Sequence, residues 1–197
     1  MAAVATMPPR QASGGEGDES ELRELIRRRS FRLGHFTLAS GAQSDLYFNL
    51  KPTMMCARGA YLSARAFLDR IHGERVEMLG GLEMGAVPLI AAVAALSSAQ
   101  GAPVETFFVR KQVKAHGTRD LIEGLGPDES LAGKAVMVAD DVATTGGSII
   151  LAVDAARGAG AVVETALVLV DRQEGAEARL AEHGVRLLAV FTASQFR

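Results

Sequence analysis

Two adjacent carboxylates, Asp140 and Asp141, close an apolar run that begins at Ala135. Behind them comes a turn of small, hydroxyl-bearing and glycine residues: Val142, Ala143, Thr144, Thr145, Gly146, Gly147 and Ser148. An apolar strand followed directly by such a turn and a helix puts these residues at the carboxyl end of a strand, where α/β sheets bind ligands. Free N–H groups of the turn and the start of the helix favour a phosphate, and the hydroxyls add donors. Glycine lets the backbone approach the anion closely. Two acids beside a phosphate cradle make sense when the ligand also carries hydroxyls or a divalent cation. Carboxylates accept hydrogen bonds from a vicinal diol and help position magnesium, a hard ion that prefers oxygen donors. The string therefore predicts a sugar-phosphate site. An isolated acid–glycine turn reads more simply as a helix N-cap, but the whole string exceeds what a cap needs. It is neither a G-x-x-x-x-G-K-[ST] loop nor a G-x-G-x-x-G fingerprint.

A second cluster is cationic. Arg110, Lys111, Gln112, Val113, Lys114, Ala115, His116 and Gly117 lead to Ile122-Glu123-Gly124, and residues 110 to 123 hold four Lys/Arg against two Asp/Glu. In a chain of net charge −2, a locally positive loop suits a pyrophosphate, whose charge must be neutralised as it leaves. Its glycines and its lack of apolar anchors suggest a lid. Taken alone, such a run is a solvated loop; beside the acid–glycine string it becomes part of a site.

The elements that must position these residues read as follows. Ser20 is a plausible N-cap, with Glu21 and Glu24 in the first turn of a helix that buries Leu22, Leu25 and Ile26. Residues Phe36 to Phe48 suggest a hairpin or hood around Ser40-Gly41. A helix is predicted over Ala57–Ile71, a strand over Val76–Leu79, a turn at Gly80-Gly81 and a buried helix over Val87–Leu96. Strands follow at Thr106–Val109, Ala135–Ala139, Val162–Val170 and Val185–Phe191. Helices fall at Ser148–Arg157, with Gly158 as its C′ residue, and at Ala176–His183. Near-continuous apolar strands alternating with helices imply an α/β fold, a parallel sheet flanked by helices on both faces with a small amino-terminal hood. Residues 1–18 read as a disordered leader and 19–197 as one domain.

Composition narrows the class. With 197 residues, 48% hydrophobic and 22% charged, the chain can bury one core. Near-neutral charge argues against a nucleic-acid coat or a polybasic membrane anchor. The apolar run from Met84 to Leu96 is too short to span a bilayer. The single Cys56 excludes an internal disulfide and favours a reducing compartment, and a cytoplasmic location is expected. His35, His72 and His183 lack ligand spacing to acids or to one another.

The acid–glycine string resembles the ribose-phosphate signature of the type I phosphoribosyltransferases, which use phosphoribosyl pyrophosphate. The R-K-x-x-K-x-H-G…I-E-G string is similar to the catalytic loop of the orotate phosphoribosyltransferases. Three further stretches agree: Phe36 to Gly41 with Ser44 and Tyr47-Phe48, Gly81 to Leu89, and Val170-Asp171-Arg172-Gln173-Glu174. The resemblance runs in order from about Leu22 to the end.

It implies a homodimeric enzyme that transfers a phosphoribosyl group to orotate with magnesium, giving orotidine 5′-monophosphate and pyrophosphate. By that resemblance Asp140 and Asp141 hold the ribose hydroxyls, and Thr144 through Ser148, with Val142 and Ala143 before them, line the 5′-phosphate site. Arg110, Lys111, Lys114 and His116 meet the pyrophosphate, with Lys114, Asp140 and Asp141 catalytic and the loop serving the neighbouring subunit. Arg172 pairs with the orotate carboxylate, and Thr144 with the hood backbone near Ser40 and Phe48 completes the base site. No nucleic acid or membrane partner is implied, and the magnesium is held mainly by substrate. Two positions depart from some members: Ala39 stands where they carry Lys, and Met84-Gly85 where they carry Tyr-Lys. The alternatives are a purine or uracil phosphoribosyltransferase, or a non-catalytic sensor of phosphoribosyl pyrophosphate. A buried Arg172 has no use for an uncharged base, and the sensor lacks a basic surface or an added nucleic-acid-binding domain.

Overall fold

The computed structural model describes residues 15–37, 43–112 and 121–197. Residues 1–14 of the leader expected over 1–18, the hood tip with Ser40, and the loop segment with Lys114 and His116 lie outside the described residues, whereas residues 15–18 of that leader open the first helix.

Helix α1 (Gly15–Ser30) starts five residues before the expected cap at Ser20. Its early turns carry acids that pair across to the next long helix: Asp18 and Glu21 with Arg58, and Glu19 with Arg70. Acids near a helix N-terminus also offset its dipole, so the helix begins upstream of Ser20. Leu22 and Ile26, one turn apart, are fully buried. Strands β1 (Phe31–Thr37) and β2 (Gln43–Phe48) form the expected antiparallel hood, with Phe31 opposite Phe48.

A short helix α2 (Lys51–Met54) leads to α3 (Ala57–Ile71), whose bounds match the sequence reading. There follow β3 (Met78–Leu82), α4 (Val87–Ala99), β4 (Glu105–Val109), β5 (Ile122–Glu123) and β6 (Ala135–Ala143). The chain closes with α5 (Gly147–Gly158), β7 (Val162–Asp171), α6 (Ala176–Glu182), β8 (Arg186–Thr192) and a 3-10 turn over Ala193–Phe196.

The main sheet has the order β5-β4-β3-β6-β7-β8 and is parallel except for β5, which runs antiparallel to β4. Alternation along β7 divides the core. Leu167 and Leu169 pack with Leu22, Phe67 and Val93 on one face. Ala166 and Val168 pack with Ile150, Val153 and Leu180 on the other. Both faces are covered, which is what the near-continuous apolar strands require.

Two glycine assignments are corrected. Gly80 and Gly81 lie within β3 and do not form a turn. A Cβ at Gly80 would stand 2.2 Å from the Phe107 ring, and one at Gly81 would stand 2.2 Å from the Ala139 carbonyl. Close approach, not chain reversal, selects glycine there. Gly158 belongs to α5, and the left-handed residue beyond the helix is Gly160, at φ +87°. Phe196, outside every element expected from the sequence, is fully buried against Phe31 and Phe48 and seats the hood on the body.

From β3 the chain leaves through α4 toward β4; from β6 it leaves through α5 in the opposite direction, toward β7. The crevice between β3 and β6 is therefore the switch point of the sheet, the place where such folds bind ligands.

Candidate active site

Both acids lie in the last four residues of β6, which runs four residues past the strand expected over Ala135–Ala139, so Val142 and Ala143 belong to the strand and not to the turn. Asp140 is buried at 5% exposure and Asp141 is half-buried. Each carboxylate turns back on the backbone: Asp141 N–H donates to Asp140 Oδ1, and Val142 N–H to Asp141 Oδ1, both at 2.9 Å. The Ser148 hydroxyl donates to Asp140 Oδ2 at 2.6 Å. Burial, then the neighbouring Asp141 carboxylate, pushes Asp140 up to about 7, against the opposing pull of the Ser148 and Asp141 hydrogen bonds.

The turn after the acids is shaped for an anion. Gly146 takes φ +78° as the residue before α5, and Ile150 N–H returns to its carbonyl at 3.0 Å. Thr144, Gly147 and Ser148 are half-buried and Thr145 is exposed. The first N–H groups of α5 have no helical acceptor of their own, and they gather where the strand ends.

The β3–α4 turn closes on the acids. A Cβ at Gly85 would lie 2.6 Å from Asp140 Oδ1 and 2.8 Å from Asp141 Oδ1. Position 85 therefore has no room for a lysine unless the acids move. Glu83 in the same turn accepts the Lys111 N–H at 2.9 Å, which joins this turn to the root of the cationic loop. Arg110 pairs with Glu123 at 3.6 Å across that root.

Arg172 follows β7 and is 7% exposed. Its N–H donates to the Ala143 carbonyl at 2.9 Å, and its Nη2 reaches Glu174 Oε1 at 2.6 Å and the Leu46 carbonyl of the hood at 3.4 Å. The backbone of Arg172 thus holds the end of β6, while its guanidinium ties the segment after β7 to the hood. The Phe48 side chain is buried between Phe31 and Phe196, so the hood offers backbone and not this ring to a ligand.

The structure brings Asp140, Asp141, Val142 through Ser148 and Arg172 to one end of the sheet, with Lys111 beside the β3–α4 turn. Arg179 of α6 was not foreseen: its Nη1 donates to the Thr145 carbonyl at 3.4 Å. Nothing in the sequence near Thr145 signals a residue 34 positions away.

A strand-end acid pair at the switch point, a glycine turn into a helix and a hood tied to Arg172 define a phosphoribosyltransferase. The phosphoribosyl transferase domain family matches residues 55–185, and the chain belongs to it. Within it, the chain falls among the orotate phosphoribosyltransferases. It is 50% identical over 177 residues to a Rhodopseudomonas palustris (strain BisB5) protein of that name, covering 90% of this chain and 95% of the relative. The Mycobacterium tuberculosis H37Rv orotate phosphoribosyltransferase, solved with Fe(III) dicitrate, superposes with a TM-score of 0.78 at 35% identity, covering 91% of this chain and 98% of that one. The same mycobacterial enzyme solved with 5-phospho-α-D-ribosyl 1-diphosphate gives a TM-score of 0.74 at 31% identity, with the same coverage.

Proposed function

We infer that this protein transfers the phosphoribosyl group of phosphoribosyl pyrophosphate to orotate, giving orotidine 5′-monophosphate and pyrophosphate for pyrimidine synthesis. The carrying observation is the Asp140–Asp141 pair set directly before the glycine turn at the sheet's switch point, in a chain 50% identical to a protein of that name.

In this reading the two carboxylates accept the ribose hydroxyls, and Thr144 through Ser148 cradle the 5′-phosphate with backbone N–H groups and hydroxyls. A ring nitrogen of orotate attacks the anomeric carbon as the bond to pyrophosphate breaks. Positive charge grows on the sugar beside the carboxylates, and negative charge grows on the leaving group. Positioning and preorganised charge supply most of the rate, and no side chain needs to act as a covalent nucleophile.

Arg172, fixed by Glu174 and Leu46, presents a planar fork suited to the orotate carboxylate. Magnesium fits the donor set: two adjacent carboxylates offer hard oxygen ligands, and a dication beside Asp140 would favour its ionised form. Bound chiefly through the substrate, the ion would supply positive charge against the pyrophosphate.

The family resemblance supports a homodimer in which Arg110, Lys111, Lys114 and His116 serve the partner's site. Lys111 and Arg110 stand at the loop root beside the β3–α4 turn, as that role asks. A catalytic unit over residues 19–197 and a cytoplasmic location complete the reading. The lone Cys56 suits that compartment, and among the described residues no helix is long and apolar enough to cross a membrane. Chromatographic detection of orotidine 5′-monophosphate and pyrophosphate in equal amounts tests it. Product from uracil or a purine in place of orotate would overturn it.

A further inference from the structure

The outer side of the glycine turn rests on α6. A methyl at Gly146 would meet the Ala176 carbonyl and Leu180 Cγ at 3.5 Å each, and one at Gly147 would meet Arg179 Nη1 at 3.7 Å. The same Nη1 donates to the Thr145 carbonyl at 3.4 Å. The guanidinium therefore contacts the turn at its second hydroxyl residue and stands beside the open side of Gly147, the first residue of α5.

The helix that carries it is firmly seated. Ala176 and Leu180 are fully buried, and the ring of His183 contacts the Arg179 carbonyl at 2.9 Å. Arg157 of α5 in turn donates to the His183 carbonyl at 2.9 Å. The side chain of Arg179 is exposed, and it forms no ion pair among the described residues. Its charge is thus not cancelled by a neighbouring carboxylate, although it stands against a turn built to receive an anion.

We propose that Arg179 is a positioning residue for the 5′-phosphate of the substrate. It holds the Thr145 carbonyl outward, so that the N–H groups of the turn face the ligand, and it places a positive charge behind them. The proposal rests on the reading of residues 144–148 as the 5′-phosphate cradle. An exposed charge close behind a bound dianion acts within a Debye length and is screened by salt. Its effect is therefore modest, specific to one end of the substrate and dependent on ionic strength.

Two probes separate the ends of the substrate. Ribose 5-phosphate carries the 5′-phosphate without pyrophosphate, and inorganic pyrophosphate carries the other end alone. Arg179→Gln should raise the Ki of ribose 5-phosphate and the KM of phosphoribosyl pyrophosphate about 3- to 10-fold at low salt, with the gap narrowing in about 0.5 M NaCl. The Ki of pyrophosphate, the KM of orotate and kcat should stay as in the wild type, and Arg179→Lys should keep most of the affinity. Wild-type behaviour in Arg179→Gln overturns the proposal, as does an equal loss for both probes.

Gly147→Glu checks the cradle itself. A Cβ there meets nothing closer than Arg179 Nη1, at 3.7 Å, so the first atom of a side chain fits, and the charge of a glutamate opposes a phosphate. If Gly147→Glu weakens ribose 5-phosphate and Arg179→Gln does not, the inference alone fails. If neither variant weakens it, the cradle reading fails and takes the inference with it.

Discussion

Ser148 donates its hydroxyl to Asp140 Oδ2 at 2.6 Å and thereby locks the first turn of α5 onto the end of β6. The same contact opposes the burial that raises Asp140 to about 7. The acid pair and the start of α5 are therefore one electrostatic unit, and its behaviour with pH follows from that.

In the ligand-free protein, Asp140 holds its proton to a higher pH than in the unfolded chain, where an aspartate titrates near 3.8. Between those values the unfolded chain binds fewer protons, so the contribution of this group to stability is full below about 4 and declines as pH rises to about 7. The loss is on the order of a few kcal/mol. Thermal melts of the wild type and Asp140→Asn from pH 4 to 8 should show the wild type losing stability relative to the variant up to about pH 7, with parallel curves above. Curves parallel throughout would mean that Asp140 titrates normally.

Gly85 is the tightest constraint on the acids. With a methyl 2.6 and 2.8 Å from their oxygens, Gly85→Ala must displace both carboxylates. A displacement of about 1 Å in a positioned group costs up to ~100-fold, so kcat/KM for phosphoribosyl pyrophosphate should fall by that order while the melting temperature changes little. An Ala variant with normal kinetics would show that the turn yields freely.

Arg172→Ala should leave the carboxylate of the base without its partner. A hydrogen bond to a charged group contributes ~1.5–3 kcal/mol, or roughly 10–150-fold in kcat/KM for orotate. The KM of phosphoribosyl pyrophosphate should change far less; an equal loss for both substrates would place Arg172 elsewhere in the mechanism.

Much of this site is legible because it is local in sequence. Asp140 through Ser148 is one continuous string, and strand, turn and helix each leave their own pattern in it. The helix over Ala57–Ile71 is legible for the same reason. What the string does not reveal is what presses on it from elsewhere. Gly80 and Gly81 look like a turn until the Phe107 ring and the Ala139 carbonyl fill the space above them. Gly85 looks like a missing lysine until the acids are seen against its Cα. Phe196 and Arg179 act only through contacts made across the fold, and periodicity cannot register those.

The shared-site arrangement has its own test. In a symmetrical dimer whose loops cross, Lys114→Ala and the Asp140→Ala, Asp141→Ala double variant are each inactive. A mixed dimer then has one site with both defects and one with none. Mixing should restore activity toward half of normal per heterodimer, with heterodimers forming about half the dimers after random exchange. If subunits exchange and no activity returns, each loop works in its own chain.

The central claim is tested most directly by following orotate absorbance in the presence of phosphoribosyl pyrophosphate and magnesium. The account predicts that absorbance is lost with the wild type, that omitting either addition stops the loss, and that the Asp140→Ala, Asp141→Ala variant abolishes it. Unchanged orotate under these conditions, with the folded wild type, would contradict it.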